Sequence, residues 1–227
     1  MIIVRIQTRV SFLFIFDKYN AIFKFTMPTR TILPGPDLSD LFGMLDKFHP
    51  LSPEIREFIG QHTVMRKVRK RTLLLKEGDT CLHIYFIRKG IVRGFFREGT
   101  KDITTWITGE NELVSSISTW DIPRPVAENI QVLEDAELYV MTLDALGELF
   151  LRYPEFNTVV RKLLQQYYAD AENRAYIARL TKAENKYRYF LKVHPVLANR
   201  VPLKYIASYL GMTLETLSRI RNSAARK

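Results

Sequence analysis

The chain has 227 residues, with 34 lysines and arginines against 24 aspartates and glutamates and a formal net charge of +10. That length accommodates one large or two small domains with a packed core, and the charge points to a polyanionic partner, nucleic acid or an anionic membrane surface. Its single cysteine, Cys81, excludes an intrachain disulfide and any metal or iron–sulfur site built from several thiolates of one chain; it fits a reducing cytoplasm and reads as a small buried hydrophobe.

Residues 1–37 stand apart as an N-terminal extension. Arg5 and Arg9 precede an apolar run at 10–16, but Lys18, Tyr19 and Asn20 follow where a secretory signal needs small residues. The run is also far too short to span a bilayer, so no membrane partner is expected. Two readings stay open: a disordered or start-site artefact, with Met27 or Met44 as the working start, or an interfacial or oligomer contact. Pro34, Gly35 and Pro36 then mark a loop. Leu41, Phe42 and Leu45 carry helical periodicity, and Ser52 with Pro53 opens a second helix through Ile55, Phe58 and Ile59.

From residue 64 to 141 the pattern becomes one of short strands. Residues 73–75, 83–88, 91–96, 100–106, 112–117, 129–133 and 138–141 are rich in strand formers and separated by turn residues such as Gly78 and Gly90. Such a rhythm predicts a small antiparallel roll or barrel. The basic run at 66–71 reads as a solvated strand edge in preference to a second DNA site, because Lys and Arg blunt sheet edges. Thr142 opens a short helix that ends near Tyr153 and Pro154. A longer helix over 154–178 then carries Phe156, Val160, Leu163, Tyr167, Arg174 and Ile177 at spacings of three, four or seven. So thin a stripe predicts a dimer seam; the alternative is a plain packed helix. Another helix over 180–193 brings Lys182, Lys186, Arg188 and Lys192 within reach of phosphates.

Residues 201–227 hold two helical patterns around a break. Leu203, Ile206, Ala207 and Leu210 form one apolar stripe, and Leu214, Leu217 and Ile220 the other. Gly211 suits the left-handed end of the first helix, and Thr213 suits the N-cap of the second, with Thr216 three residues on. An αα-hairpin closing a core would share this spacing. The excess of Lys204, Arg219, Arg221, Arg226 and Lys227 over Glu215 favours a DNA-reading helix-turn-helix. The expected fold class is therefore α+β. It comprises an antiparallel β-roll of double-stranded β-helix or jelly-roll type with lead-in helices (38–153), a long dimerisation helix (154–178) and a C-terminal helix-turn-helix domain (179–227).

This order of parts resembles the cyclic-AMP receptor protein and FNR (CRP/FNR) family of bacterial transcription regulators, over about residues 40–227. The residues that carry it are 76–79 and 85–93, which look like the roll's early strands, and 202–221, where Thr213 to Ile220 fits the family's Ser-Arg-Glu-Thr-Val-x-Arg pattern. The resemblance implies a cytoplasmic homodimer that binds double-stranded DNA, with RNA polymerase as a further partner and a pseudo-palindromic operator. It places Glu215 and Arg219 at base-reading positions. Thr213, Thr216, Ser218 and Arg221 complete the DNA-binding set, and Leu214, where relatives carry Arg or Pro, changes the specificity. Relatives usually add a small β wing after this helix, so the second helix is expected to supply most base contacts.

The cyclic-nucleotide cassette of the family departs here. Its Gly-Glu-Leu core is missing from residues 109–129, and Val126 and Ala127 fall where an Arg and a Ser would hold the cyclic phosphate, with Arg124 two residues off. No cyclic-nucleotide cofactor and no metal is expected. Either the roll binds another small molecule through a pocket of Glu110, Ser115, Ser116 and Arg124, or it is a dimerising scaffold. An enzyme is disfavoured: there is no Gly-rich phosphate loop, no His-x-x-x-His and no Gly-x-Ser-x-Gly, and His49, His62, His83 and His194 are scattered.

Overall fold

The computed structural model describes residues 36–120, 122 and 124–224. The expectations for residues 1–35, and for Arg226 and Lys227, lie outside the described residues. Helix α1 (Ser39–Leu45) and helix α2 (Pro53–His62) lead in. Ser52 caps α2 by accepting from the Ile55 N–H at 3.4 Å, and Pro53 occupies the first turn, where its missing N–H costs nothing.

Eight strands follow: β1 (Val64–Val68), β2 (Leu73–Leu75), β3 (His83–Lys89), β4 (Val92–Glu98), β5 (Lys101–Thr108), β6 (Leu113–Val114), β7 (Asn129–Val132) and β8 (Ala136–Thr142). They form two antiparallel four-stranded sheets, ordered β1-β8-β3-β6 and β2-β7-β4-β5. Both sheets feed one apolar cluster: Ile87, Leu138 and Val140 come from the first, and Leu75, Val92 and Ile130 from the second. The expected strand over 112–117 shrinks to β6. Asn111 takes a left-handed φ of 65° just before it, and Ser115 and Thr119 spend their hydroxyls on the His83 and Ser116 carbonyls, which ends the ladder in a 3-10 turn at Ile117–Thr119.

A second cluster packs the helices on the outer face of the β3–β8 pair. Helix α3 (Leu143–Arg152), capped by Thr142 accepting from the Ala145 N–H at 3.2 Å, and the start of helix α4 (Phe156–Arg179) join α1 and α2 there. The C-terminal helices α5 (Ala183–Val193), α6 (Leu197–Arg200), α7 (Leu203–Tyr209) and α8 (Leu214–Ala224) build a third cluster, and Ile91, Ile107 and Leu133 of the roll belong to it as well.

The residues expected to form a dimer seam make contacts within the chain. Phe156 and Leu163 are buried in the second cluster, with Val160 half-buried against it, and Ile177 is buried in the third. Tyr167 accepts from the Leu113 N–H at 3.0 Å and donates to the Glu112 carboxylate at 3.0 Å, and burial pushes its hydroxyl pKa well up. This stripe packs within one chain. It is thin because α4 passes from the roll to the C-terminal helices and needs only one contact row for each.

Candidate nucleic-acid interface

Helix α7 buries Ile206 and Ala207, with Leu210 buried at its C-cap, and α8 buries Leu217 against them. Between the two, Gly211 adopts φ +64°, its N–H bonds the Ser208 carbonyl at 3.1 Å, and the Met212 N–H reaches back to the Ala207 carbonyl at 3.0 Å. These paired bonds are a Schellman ending, which a residue with a Cβ would strain. Lys186 of α5 adds a third satisfied carbonyl by donating to Leu210 at 3.2 Å. Thr213 then caps α8 by accepting from the Thr216 N–H at 3.2 Å.

The predicted reading residues divide by exposure. Thr213, Leu214, Glu215 and Arg219 are exposed, whereas Thr216, Ser218 and Arg221 are half-buried. Glu215 and Arg219 lie one helical turn apart on the open side of α8. Glu215's own N–H and the Thr213 hydroxyl hold its carboxyl below the usual range, with Arg219 adding to the effect, so it remains an acceptor. Lys182, Arg188 and Lys192 of α5 are exposed as well.

Sequence reasoning missed the way this helix pair docks on the roll. Arg93 of β4 is 1% exposed, with its guanidinium 4.0 Å from the ring centres of both Phe95 and Tyr205, the latter on α7. It donates to Asp102 at 2.7 Å, Thr104 at 3.1 Å and Gln131 at 3.0 Å. Beside it, the Ser208 hydroxyl of α7 accepts from the Thr104 N–H at 2.9 Å and donates to the Asp102 carbonyl at 3.0 Å. Arg200 of α6 grips Glu110 in two bonds of 2.6 and 2.9 Å and also bonds Glu134. The one available signal was Arg93 itself, a cation between Ile91-Val92 and Gly94-Phe95-Phe96 in the strand expected over 91–96.

The four expected effector residues do not all converge on one site. Glu110 is committed to Arg200 and to the Gly90 N–H at 2.9 Å, and the Arg200 bond draws its carboxyl down to about 2. Ser115 accepts from Trp120 at 3.0 Å and donates to the His83 carbonyl at 3.2 Å; Ser116 is buried against Ser118; Arg124 is exposed. Val126 is 7% exposed in the apolar cluster of the roll, and its backbone pairs with Asp79 and Gly78. Alongside, Trp106 donates to the Glu128 carboxylate at 2.7 Å, and burial raises that carboxyl's pKa. Gly94 makes room for both, since a Cβ there would lie 2.2 Å from the Trp106 ring.

A cavity of about 980 Å³ opens between the β5–β6 connection, α4 and α5, with Trp106, Glu112, Tyr167, Arg174 and His194 among its walls. Glu110 and Ser115 reach it; Ser116 and Arg124 do not. Among the described residues no group of His, Cys, Asp or Glu is placed to hold a metal ion, and no helix is long and apolar enough to cross a membrane.

Residues 65–153 match the family model of the cyclic nucleotide-binding domain. The anaerobic regulatory protein of Bacillus subtilis (strain 168) is 26% identical over 97 residues, which are 42% of this chain and 41% of that protein. The chain thus spans less than half the length of that curated relative. Three solved structures share the fold. The c-di-GMP responsive global regulator CLP of Xanthomonas campestris has a TM-score of 0.63 at 16% identity, covering 77% of this chain and 92% of its own. FixK2 of Bradyrhizobium japonicum has a TM-score of 0.61 at 16% identity, covering 72% and 85%. A transcriptional regulator assigned to the CRP/FNR family from Eubacterium rectale has a TM-score of 0.59 at 13% identity, covering 75% and 82%. The chain thus shares the fold of these three structures: a roll in which residues 65–153 match the cyclic nucleotide-binding domain, a long helix and a terminal helix pair.

Proposed function

We propose that this protein is a sequence-specific DNA-binding transcription regulator of CRP/FNR type, a cytoplasmic homodimer and not an enzyme, that works without cyclic AMP. In this reading residues 38–153 are the roll, 154–178 the dimer helix and 179–227 the DNA-binding domain. The observation that carries it is α8, capped by Thr213 and presenting Glu215 and Arg219 outward on a basic module. Arg219 pairs bidentately with guanine, and Glu215 accepts from a cytosine amine or positions Arg219. Thr213, Ser218 and Arg221 fix the register on phosphates.

Dimerisation is assigned to a second row of α4, on which Leu164 and Ala171 are half-buried and Tyr168 and Ala175 exposed. Leu164, Tyr168, Ala171 and Ala175 recur at four- and three-residue steps, and Tyr168 is 68% exposed. Two readers one helical turn apart then call for a pseudo-palindromic operator. Selection from a random DNA pool tests the assignment. The wild-type protein should enrich one palindromic site, and Arg219→Ala should relax one base pair in each half-site; an unchanged site in the variant would remove Arg219 from the reading set.

Independence from cyclic AMP is supported by Val126, an apolar core residue where the phosphate partner would stand, and by Trp106 and Glu128 beside it. Calorimetric titration with cyclic AMP and cyclic GMP should show no binding, and micromolar affinity for either would overturn this point. A second reading, a roll that senses another small molecule, is favoured by the cavity that α4 and α5 share with the roll. Titration with c-di-GMP and a metabolite panel, read by Trp fluorescence, distinguishes it from a pure scaffold.

A further inference from the structure

The cavity between the roll, α4 and α5 has two unlike ends. On α4, Tyr167, Asp170 and Arg174 follow one another at three- and four-residue steps, so one face of the helix brings all three to the cavity wall. At the Tyr167 end stands Glu112, in the connection between β5 and β6. One of its oxygens accepts from the Tyr167 hydroxyl at 3.0 Å, and the other has no hydrogen bond among the described residues. Asp170 lies near enough to act on the same carboxylate.

Neither acid has a paired cation. Among the described residues Glu112 and Asp170 form no salt bridge, and Lys47 acts on Glu112 only from beyond pairing distance. Burial raises the Glu112 carboxyl above its ordinary pKa, and Asp170 adds to the rise against the Tyr167 bond and Lys47. A half-buried carboxylate so placed gains from a cation delivered to it.

The basic groups of the cavity wall do not supply that cation. Arg174 lies two turns beyond Tyr167 on α4, about 10 Å away, where it acts on Glu128. His194, at the end of α5, has its pKa lowered by burial and is neutral at pH 7. Aromatic rings make up much of the remaining wall: Trp106 and Trp120 of the roll, Tyr189 of α5 and Tyr209 of α7 join Tyr167 there. Such rings stack on planar ligands and attract organic cations. The volume of about 980 Å³ stands at the upper end of the range that holds small ligands, about 300–1,000 Å³.

Resting on the small-molecule-sensing reading given above, we infer that this cavity is a site for an aromatic amine. The ammonium group sits on Glu112 and Asp170, and the ring packs among the tryptophans and tyrosines. The same acidic end repels a carboxylate or a phosphate. A ligand in this position touches the roll, α4 and α5 together.

The test is calorimetry on the wild-type full chain at pH 7 with two amines, tryptamine and tyramine, and two acids that match them in shape, indole-3-propionate and 3-(4-hydroxyphenyl)propionate. The charge-assisted bond should make at least one amine bind about tenfold more tightly than its matching acid, or better. Glu112→Gln keeps an acceptor for Tyr167 but removes the charge, and should reduce that preference to within about threefold. Because burial disfavours the charge, this variant should melt no lower than wild type. Glu172→Gln removes an acid from a position of α4 outside the cavity wall and should leave the preference intact.

An acid that bound as tightly as its amine, or a preference unchanged in Glu112→Gln, would overturn the amine site. An equal loss in the Glu172 control would overturn it too, by showing a net-charge effect. Failure of both amines to bind, while c-di-GMP or another metabolite binds, would overturn the amine site and leave the sensing reading standing. If neither the amines nor any metabolite binds, the sensing reading fails as well, and the roll is a scaffold.

Discussion

Arg93→Ala tests the joint between roll and reader most sharply. The substitution removes hydrogen bonds to Asp102, Thr104 and Gln131 and empties the space between the Phe95 and Tyr205 rings. Removing one member of a buried ion pair costs about 3–5 kcal/mol. Asp102 keeps 38% exposure and a second cation, Arg97 at 3.5 Å, so it is not stranded without solvent and the low end of that range applies. The expected loss is therefore about 3 kcal/mol, or about 1–1.5 M in urea midpoint at an m-value of about 2–3 kcal/mol/M. Arg93→Met retains the aliphatic stem and should lose less, about 1–2 kcal/mol. Urea unfolding at one fixed protein concentration measures both, since self-association would make the midpoint depend on concentration. Amide exchange of α7 should accelerate in the alanine variant even without denaturant. A loss below about 1 kcal/mol with α7 exchange unchanged would refute the view that this guanidinium holds the module in place.

Three further outcomes follow from the geometry. Thr213→Ala should cost about 1 kcal/mol by uncapping α8, and weaken operator binding more than non-specific binding; Thr213→Ser should restore both in thermal melts and gel shifts. Gly94→Ala should destabilise by about 1–3 kcal/mol, because the new Cβ meets Trp106 at 2.2 Å, and should shift the Trp emission; an unshifted spectrum would mean the indole lies elsewhere. Glu110→Gln should cost about 1–2 kcal/mol at pH 7, discounted for the 30% exposure of the carboxylate. The Arg200 bond lowers this carboxyl from 4.5 to about 2 in the folded protein, so its contribution is complete above about pH 4.5 and fades as pH falls towards 2. A difference between wild type and variant that held constant from pH 7 to pH 3 would separate Glu110 from that contact.

Local chemistry made much of this molecule legible from its residues. Ser52, Thr142 and Thr213 cap helices where their short hydroxylated side chains occur, and Gly211 closes α7 because a left-handed residue is needed there. These are contacts within a few positions of one another. The joint between Arg93, Ser208 and Arg200 was not legible, because its partners are up to 106 positions apart and no periodicity records them. The inward stripe of α4 misled for the opposite reason: Phe156 and Ile177 repeat as a seam would, and a helix with two successive partners in its own chain leaves the same trace. The effector set is dispersed because Ser115, Ser116 and Arg124 are close in sequence but face different surroundings once the chain turns through residues 117–119.

Ser208 carries a consequence for how far α7 can move. Strand β5 is the outer member of its sheet, so its open side presents amide and carbonyl groups that another strand could match. The Ser208 hydroxyl takes the Thr104 N–H and the Asp102 carbonyl, and α7 lies across the rest. The element that positions the reader therefore also guards the molecule against polymerising through this edge. Any swing that undocked α7 would free an adhesive strand, so mutations that loosen the helix pair should reveal themselves first as aggregation.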